Sequence, residues 1–289
     1  ASARPFMTHH NALDMQLYMR IATELYLKRC IVGGLEKVYE IGRIWRNEGI
    51  STRHNPEFTM LELYEAYSDF EGMIELTEGI FGHLCDHVLP SDQVDFGGNT
   101  VNLRPPFRRA TMDSLLREHA GVGIHELRDP DICFTKAREL KLGLDPKTTT
   151  VAHAIDKIVD ETVLPHIIQP TFITEYPIEL SPLAKRKPND PELTDRFELF
   201  VCGAEIANAF SELNDPDDQR GRFEAQQALK DIDAEAHPLD EDFLLALEYG
   251  MPPTGGIGIG IDRLIMLLTG KTSIRDILLF PLMRPRADA

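Results

Sequence analysis

The apolar residues of this chain follow two periods, one typical of strands and one typical of helices. The stretch Tyr39–Tyr67 predicts a strand, a polar loop and a second strand. A helical period precedes it over residues 12–29, with Asn11 as the cap. An amphipathic helix is predicted to follow over Ser68–Val88. The first third of the chain therefore predicts a hairpin held between two helices.

The rest of the chain repeats this mixture of hairpins and helices. Residues 93–105 predict strands around a Gly97–Gly98 turn. Residues 111–168 alternate short helices with polar loops, and this alternation predicts a helical insertion module. We expect the module to lie within a single domain that spans residues 1–289. A buried strand is predicted over Pro170–Tyr176, and a further hairpin over residues 196–213.

The C-terminal part of the chain, from residue 217 onward, predicts helices and two further strands. Residues 217–249 predict charged helices, residues 254–263 a glycine-rich strand that leads into a helix, and Ile277–Phe280 a closing strand. Hairpin connections and flanking helices are typical of an α+β fold with an antiparallel sheet. The strict strand–helix alternation of a doubly wound parallel sheet is missing.

Composition narrows the possible functions. The net charge of −17 argues against general nucleic-acid binding, which needs clustered Lys and Arg, and suits a site for a cationic small molecule. No apolar run is long enough to span a membrane, so no membrane partner is expected. The four cysteines are scattered and the N-terminal segment is unlike a secretory signal, so a reducing, cytoplasmic location is expected.

The first candidate site lies on the hairpin of residues 39–67. Alternation places one set of side chains on a single face of the two strands: Ile44, Arg46, Glu48, Phe58, Met60, Glu62 and Tyr64. Arg46 offers a planar fork for a carboxylate or phosphate, and Phe58 a flat surface for a purine. Glu62 stands among apolar residues and needs a cation. The alternative is an internal Arg46–Glu62 pair.

The second candidate site lies on the hairpin of residues 196–213. Asn208, Phe210 and Glu212 share one strand face, while Glu198 and Glu205 stand on opposite arms and can converge. Two carboxylates on rigid strands suit Mg²⁺ together with substrate phosphates. The alternative is that these glutamates line a solvated strand face.

The third candidate site is TGGIGIGIDR, residues 254–263. Its G-x-G-x-G spacing differs from a dinucleotide fingerprint, but glycines along a strand allow a ligand to approach the backbone closely. Arg263 at the start of a helix favours phosphate. The alternative is a turn with an Asp262–Arg263 salt bridge. His54, in the polar loop, is a further candidate for phosphate contact or for a solvent-facing role.

These segments together resemble a known family. WRNEGISTRHNPEFTMLE, residues 45–62, resembles motif 2 of class II aminoacyl-tRNA synthetases in its lysyl-tRNA synthetase form, and TGGIGIGIDR resembles motif 3. RFELFVCGAEIANAFSELNDPDDQ and YPIELSPLAK resemble segments that lie between these motifs in the lysine enzymes. The resemblance covers essentially the whole chain and implies the class II catalytic fold.

The resemblance also implies a role for each candidate residue. Arg46 and Arg263 would be catalytic. The ATP-binding set would be Arg46, Glu48, His54, Asn55, Phe58, Glu205, Asn208 and Arg263. The lysine-binding set would be Glu24, Arg46, Glu62, Tyr64, Asn208, Phe210 and Glu212, with Glu24 at the α-amino group and Glu62, Tyr64 and Glu212 at the ε-ammonium. Glu198 and Glu205 would hold Mg²⁺.

The implied activity is ATP- and Mg²⁺-dependent formation of lysyl-adenylate and transfer of lysine to a tRNA acceptor end. The anticodon-binding domain and motif 1 of the family have no counterpart in this sequence, so a catalytic domain is expected, and lysine activation is its most direct activity. A homodimer is expected of the full-length family. Two alternatives remain, a stand-alone paralogue that lysylates a protein such as elongation factor P, and a catalytically silent lysine-binding module.

Overall fold

A central sheet of seven strands organises the computed structural model, which describes residues 3–229 and 239–283. The strands of this sheet are, in spatial order, β3 (Lys37–Trp45), β4 (Glu57–Ala66), β13 (Thr254–Gly260), β12 (Ala204–Ser211), β11 (Arg196–Val201), β8 (Thr171–Thr174) and β7 (Arg108–Thr111). Neighbouring strands are antiparallel, except that β7 and β8 run parallel. The predicted α+β class and its mainly antiparallel sheet are confirmed.

Three two-stranded hairpins accompany the central sheet. They are formed by β1 (Met7–His10) with β2 (Met15–Tyr18), β5 (Gln93–Phe96) with β6 (Asn99–Asn102), and β9 (Arg186–Lys187) with β10 (Asp190–Thr194). The β5–β6 hairpin turns at Gly97 and Gly98, both in the left-handed region that favours glycine, as the sequence predicts.

The helices pack on both faces of the sheet. They are α1 (Glu24–Val32), α2 (Phe70–His87), α3 (Met112–His119), α4 (Ile124–Leu127), α5 (Pro130–Glu139), α6 (Val151–Thr162), α7 (Pro216–Ala228), α8 (Glu241–Glu248) and α9 (Ile261–Thr269). The predicted helix over residues 68–88 is α2, which begins where the Asp69 side chain accepts from the Gly72 N–H. No described helix combines the length and apolar character that a membrane span requires.

The two faces of the sheet have opposite chemistry because side chains alternate along each strand. On one face, Phe172, Phe197 and Ile257 pack with Met73 of α2 and Leu267 of α9 in the largest apolar core. The other face carries the polar residues of β4 and β12. There, α1 and α8 pack beside β4 through a smaller cluster that includes Leu27 and Phe243. Helix α1 is thereby fixed against the polar face.

Residues 111–168 form helices α3 to α6 with an apolar core of their own. Ile155, Ile158 and Leu116 are completely or almost completely buried in it. The same core includes Ile173 of β8 and Phe200 of β11, so these helices rest on the end of the central sheet. A separate insertion module in this segment stays a prediction.

Two sequence expectations are wrong, and one lies partly outside the described residues. The expected helix over residues 12–29 is instead the β1–β2 hairpin followed by the shorter α1, with Asp14 at positive φ in the hairpin turn. Residues 277–280 form no strand, and Leu279 and Phe280 are exposed. The helices predicted within residues 217–249 are α7 and α8, and residues 230–238 between them lie outside the described part.

Phe172 provides a test of the main core. Its ring is fully buried and packs edge-on against Phe197, with the ring centroids 4.8 Å apart. We expect Phe172→Ala to lower the free energy of unfolding by about 3–5 kcal/mol, since it leaves a cavity in a packed core. Tyr249→Ala, at an exposed ring, is the control and should change it by less than about 0.5 kcal/mol. Equal effects of the two changes in urea titrations would contradict this description of the core.

Candidate active site

A cavity of about 350 Å³ lies on the polar face of the sheet. Alternate residues of β4, β12 and β13 form its floor, and the loop of residues 46–56 forms one side. The candidate residues that line it are Glu24, Arg46, Glu48, His54, Asn55, Phe58, Glu62, Tyr64, Glu205, Asn208, Phe210, Glu212 and Arg263. Four separate parts of the sequence therefore meet at one site, the three candidate segments and α1, which carries Glu24. The binding roles of these residues stay predictions.

The glycines of β13 make room for the side chains of the neighbouring strands. A Cβ on Gly256 would lie 2.5 Å from the Tyr64 ring and would also meet Glu212 Oε1. A Cβ on Gly258 would meet only the flexible end of Met60, at 3.1 Å, and Glu62 Cγ at 3.8 Å. Tyr64 and Glu212 can lean over the middle strand only because that strand has no side chain at Gly256.

Glu62 lies at one end of the cavity and is held by the start of α1. The Thr23 N–H and hydroxyl both donate to Glu62 Oε2, at 3.1 and 2.7 Å. Burial, and then the Glu24 carboxylate, raise the pKa of Glu62, while the Thr23 hydrogen bonds oppose this rise. Arg46 donates instead to the Ile21 carbonyl at 3.3 Å. The alternative of an internal Arg46–Glu62 pair is thus replaced by two separate contacts.

Glu212 is the most deeply buried carboxylate of this end. Its side chain is 1% exposed and its Oε2 pairs with the Lys28 ammonium, whose side chain is 0% exposed. Lys28 also donates to Glu24 Oε1 at 2.8 Å, one helical turn away on α1. Glu212 Oε1 is buried and has no hydrogen-bond partner among the described residues. The acidic end therefore retains an acceptor oxygen that a further cation can satisfy.

Two aromatic rings enclose the same end of the cavity. The Lys28 ammonium lies 5.8 Å from the centroid of the Tyr64 ring and 5.4 Å from that of Phe210. Both distances are within the range of cation–π attraction. Tyr64 is 4% exposed, and burial raises its pKa well above the usual value, so its hydroxyl stays protonated. The end of the cavity is an acidic pocket with apolar walls.

The opposite end of the cavity carries arginines. The Arg46 guanidinium lies 5.1 Å from the centroid of the Phe58 ring. Arg263 Nη1 donates to Glu205, at 3.0 Å to its carbonyl and 3.1 Å to Oε2, and Arg263 Nη2 lies 3.0 Å from His54 Nε2. Burial and the Arg263 charge lower the pKa of His54, so the neutral ring can accept from Arg263. The two guanidinium groups make this end of the cavity suitable for an anion.

Asp262 and Arg263 do not form the salt bridge that the sequence offered as an alternative. Asp262 is 6% exposed, and its Oδ2 accepts from the Thr59 N–H at 2.7 Å. This contact ties the start of α9 to β4 next to the last residue pair of the β4–β13 ladder, Met60 with Gly260. Arg263 is thereby left to turn toward Glu205 and His54.

Glu198 is the one candidate that does not line the cavity. Its Oε2 accepts from the Tyr176 hydroxyl at 2.9 Å, and its Oε1 pairs with Arg196. Burial, assisted by the nearby Glu205 carboxylate, raises the pKa of Glu198 to about 7 against the opposing charge of Arg196. The expectation that these glutamates might simply line a solvated face is wrong for Glu198 and Glu212, since both are buried.

The sequence interpretation missed three residues of this site. Arg196 donates to Asn208 Oδ1 at 3.0 Å and stacks 4.4 Å from the Tyr176 ring centroid, so it orients both neighbours. Thr23 holds Glu62, and Lys28 holds Glu24 and Glu212. The available signal for Lys28 was its i, i+4 spacing from Glu24 on a helix with a buried face.

Comparison with known proteins places these residues in a family. Residues 1–284 match the family described as tRNA synthetases class II (D, K and N). The chain is 56% identical over 289 residues to the lysine–tRNA ligase of Pelotomaculum thermopropionicum, covering 99% of this chain and 57% of that protein. It is 57% identical over 289 residues to the lysine–tRNA ligase of Bacillus subtilis, with the same coverage of each chain. The chain thus spans less than two thirds of the length of these relatives.

The two glycines of β13 that face Glu62 and Glu212 provide a matched test of the site geometry. We expect Gly256→Ala to lower the free energy of unfolding by about 1–3 kcal/mol, because its Cβ must displace Tyr64 and Glu212. Gly258→Ala should cost less than about 1 kcal/mol, since only the end of Met60 has to move. Urea titration of both variants is the measurement. A Gly258→Ala variant as unstable as Gly256→Ala would contradict the described approach of Glu212 and Tyr64.

Proposed function

Because the chain belongs to the class II tRNA synthetases of the D, K and N group, we propose that it activates lysine with ATP and transfers the lysyl group to the 3′ end of a tRNA. The observation that carries the choice of lysine is the buried acidic pocket of Glu24, Glu62 and Glu212. Of the three amino acids of this group, lysine alone has a cationic side chain. A buried carboxylate left without a cation is costly, so such a pocket selects against aspartate and asparagine.

The roles proposed for the lysine-binding residues follow from the two ends of the cavity. Glu212 and Glu62, with Tyr64, would receive the ε-ammonium, and the unpartnered Glu212 Oε1 supports this assignment. Glu24 would receive the α-ammonium. Phe210 and Asn208 would pack along the lysine side chain between the two ends. Arg46 would bind the lysine carboxylate and bring it to the nucleotide.

The roles proposed for the ATP-binding residues use the opposite end. Phe58 would stack on the adenine and Glu48 would accept from its exocyclic amine. Arg46 and Arg263 would bind phosphates, and the Arg263–His54 contact supports a shared role of that loop and of α9. His54 and Asn55 would contact the triphosphate or the ring. Glu205 and Asn208 are the remaining residues that we propose for ATP binding.

The proposed reaction has two steps. A lysine carboxylate oxygen attacks the α-phosphorus of ATP, forming the C–O–P bond of lysyl-adenylate while the bond from the α-phosphorus to the bridging oxygen breaks and pyrophosphate leaves. A hydroxyl of the tRNA 3′-terminal ribose then attacks the lysyl carbonyl, and AMP leaves. The protein contributes alignment of the two substrates and stabilisation of developing negative charge by Arg46 and Arg263.

The residues of β11 and β12 fit the Mg²⁺ that this chemistry uses. Glu198 and Glu205 supply carboxylate oxygens, the donors that Mg²⁺ prefers, and Glu205 is close enough to raise the pKa of Glu198. A divalent cation would relieve this repulsion. We propose that both residues hold Mg²⁺, which would neutralise charge on the ATP phosphates.

Exchange of labelled pyrophosphate into ATP tests the proposed function directly. We expect exchange that depends on lysine and Mg²⁺ and that aspartate and asparagine do not support. A folded chain without exchange would contradict the proposal and favour a lysine-binding module. Where exchange occurs, offering tRNA and elongation factor P separately decides the acceptor, and transfer to the protein alone would contradict the tRNA part.

Replacing the buried glutamate of β4 tests the lysine pocket. We expect Glu62→Gln to raise the KM for lysine about tenfold or more while the KM for ATP stays nearly unchanged, because the cation loses a charged partner. Glu65→Gln is the matched control, since Glu65 lies on the other face of β4 and pairs with Lys37. Equal losses for lysine and ATP would contradict the ε-ammonium assignment.

A further inference from the structure

Arg196 is an almost buried arginine that lines the cavity next to Asn208. Its side chain is 11% exposed. The guanidinium lies over the Tyr176 ring, 4.4 Å from the ring centroid. An aromatic ring therefore covers one face of this cation, and its edges are left for hydrogen bonds.

Each nitrogen of the guanidinium donates to a different part of the fold. Nε donates to Asn208 Oδ1 of β12 at 3.0 Å, and Nη2 pairs with Glu198 of β11. Nη1 donates to the Leu180 carbonyl at 2.5 Å and to the Ser181 hydroxyl at 2.9 Å. Because the other contacts fix the guanidinium without Asn208, the Asn208 amide takes its orientation from Arg196.

The chemistry of this contact determines which end of the Asn208 amide faces Arg196. An arginine side chain has N–H donors and no acceptor, so the amide oxygen must face it and the amide nitrogen must point away. Within the described part of the chain, the contact with Arg196 is the only side-chain hydrogen bond of Asn208. Asn208 lines the cavity and is partly buried, so its N–H groups are available to a ligand there.

The position of Asn208 limits the kind of ligand group that it can bind. Glu212 of the acidic end lies four residues after it, and Glu205, which pairs with Arg263, lies three residues before it. Its partner on β13 is Gly258, which has no side chain to cover the amide. An amide that presents N–H groups between the two ends of the cavity attracts carboxylate and phosphate oxygens and does not accept from ammonium groups.

We propose that Arg196 is a positioning residue that fixes the Asn208 amide with its N–H groups toward the cavity, where they donate to an anionic oxygen of a substrate, the lysine carboxylate or an ATP phosphate. This inference rests on the proposed function and adds to it the chemical group that Asn208 binds. Arg196 acts on the substrate through Asn208.

Two variants of similar size to Asn208 test the direction of its amide. Asn208→Leu removes the donors, and we expect it to raise the KM for one substrate of the exchange reaction about tenfold or more, because a hydrogen bond to a charged group is lost. Asn208→Asp keeps an acceptor for Arg196 but turns an oxygen toward the substrate anion, so it should raise the same KM further.

The affected constant and the order of the two variants are both informative. A rise in the KM for lysine indicates the carboxylate, and a rise in the KM for ATP indicates a phosphate. If the amide instead presented its oxygen to the cavity, Asn208→Asp would bind the cationic lysine at least as well as Asn208→Leu. That order would overturn the inference, and so would constants that stay unchanged in both variants.

Asn102 provides the matched control. It lies exposed on β6, and its Oδ1 accepts from the Arg104 N–H at 3.0 Å, the same distance as in the contact with Arg196. Asn102→Leu and Asn102→Asp make the same chemical changes outside the cavity. We expect both to leave the two KM values nearly unchanged, since Asn102 is not among the residues that line the cavity.

A double-mutant comparison tests whether Arg196 acts through Asn208. A lysine ammonium can pair with Glu198 but lacks the planar fork that also holds Asn208, so we expect Arg196→Lys to raise the affected KM about threefold or more. In the Asn208→Leu background, the same change should raise it less than about twofold, since the group to be positioned is already gone. Effects that multiply, or an unchanged KM in a folded Arg196→Lys, would overturn the positioning role.

The outcomes also separate this inference from the proposed function. No lysine-dependent exchange by the unaltered chain would overturn the proposed function itself. Normal exchange by the unaltered chain, with equal rises of both KM values in Asn208→Leu and Asn208→Asp, would show a merely structural role and would overturn only this inference. If Arg196→Lys fails to fold, the order of the two Asn208 variants decides.

Discussion

Carboxylates buried on a sheet require partners within contact distance, and this requirement shapes the polar face of the fold. Glu62 accepts hydrogen bonds from Thr23 at the start of α1, and Glu212 pairs through Oε2 with Lys28 of the same helix. Helix α1 therefore has to lie beside β4, where Leu27 and its apolar neighbours fix it. The same requirement joins the buried Glu198 to Arg196, while the more exposed Glu205 pairs with Arg263. The ion pairs of the site are thus also the contacts that orient its walls.

Much of the fold was predictable from local patterns, because six of the seven central strands and the long helix α2 carry their own periods; the short edge strand β7 was not predicted. The errors occurred where the local pattern was ambiguous. Apolar residues at helical spacing suggested a helix across residues 12–29, but residues 12–18 are exposed and the chain turns at Asp14, so no buried face selects a helix before α1 begins. Ile277–Phe280 has the composition of a strand, but a strand needs a pairing partner, and this segment has none among the described residues.

The site was predictable to the extent that it follows strand alternation and the resemblance of its motifs. Phe58, Glu62 and Tyr64 share a face because they are separated by even numbers of residues on β4. Their partners were not predictable in this way. Lys28 lies far from Glu212 in the sequence, and its i, i+4 spacing from Glu24 indicates a pair within one helix but not the contact with Glu212. The role of Arg196, at the start of β11, also depends on its contacts with Asn208 and Tyr176, which the sequence does not indicate.

The contact between Lys28 and Glu212 has an evolutionary consequence. The two residues belong to distant segments, yet loss of Lys28 alone leaves the buried Glu212 without its cation, which is strongly destabilising, whereas loss of Glu212 alone leaves Lys28 paired with Glu24. A lineage that changed the amino acid bound at this site would therefore meet the larger cost if Lys28 were replaced first. The ion pair would thus act as a barrier to drift in specificity, independent of any selection on the reaction itself.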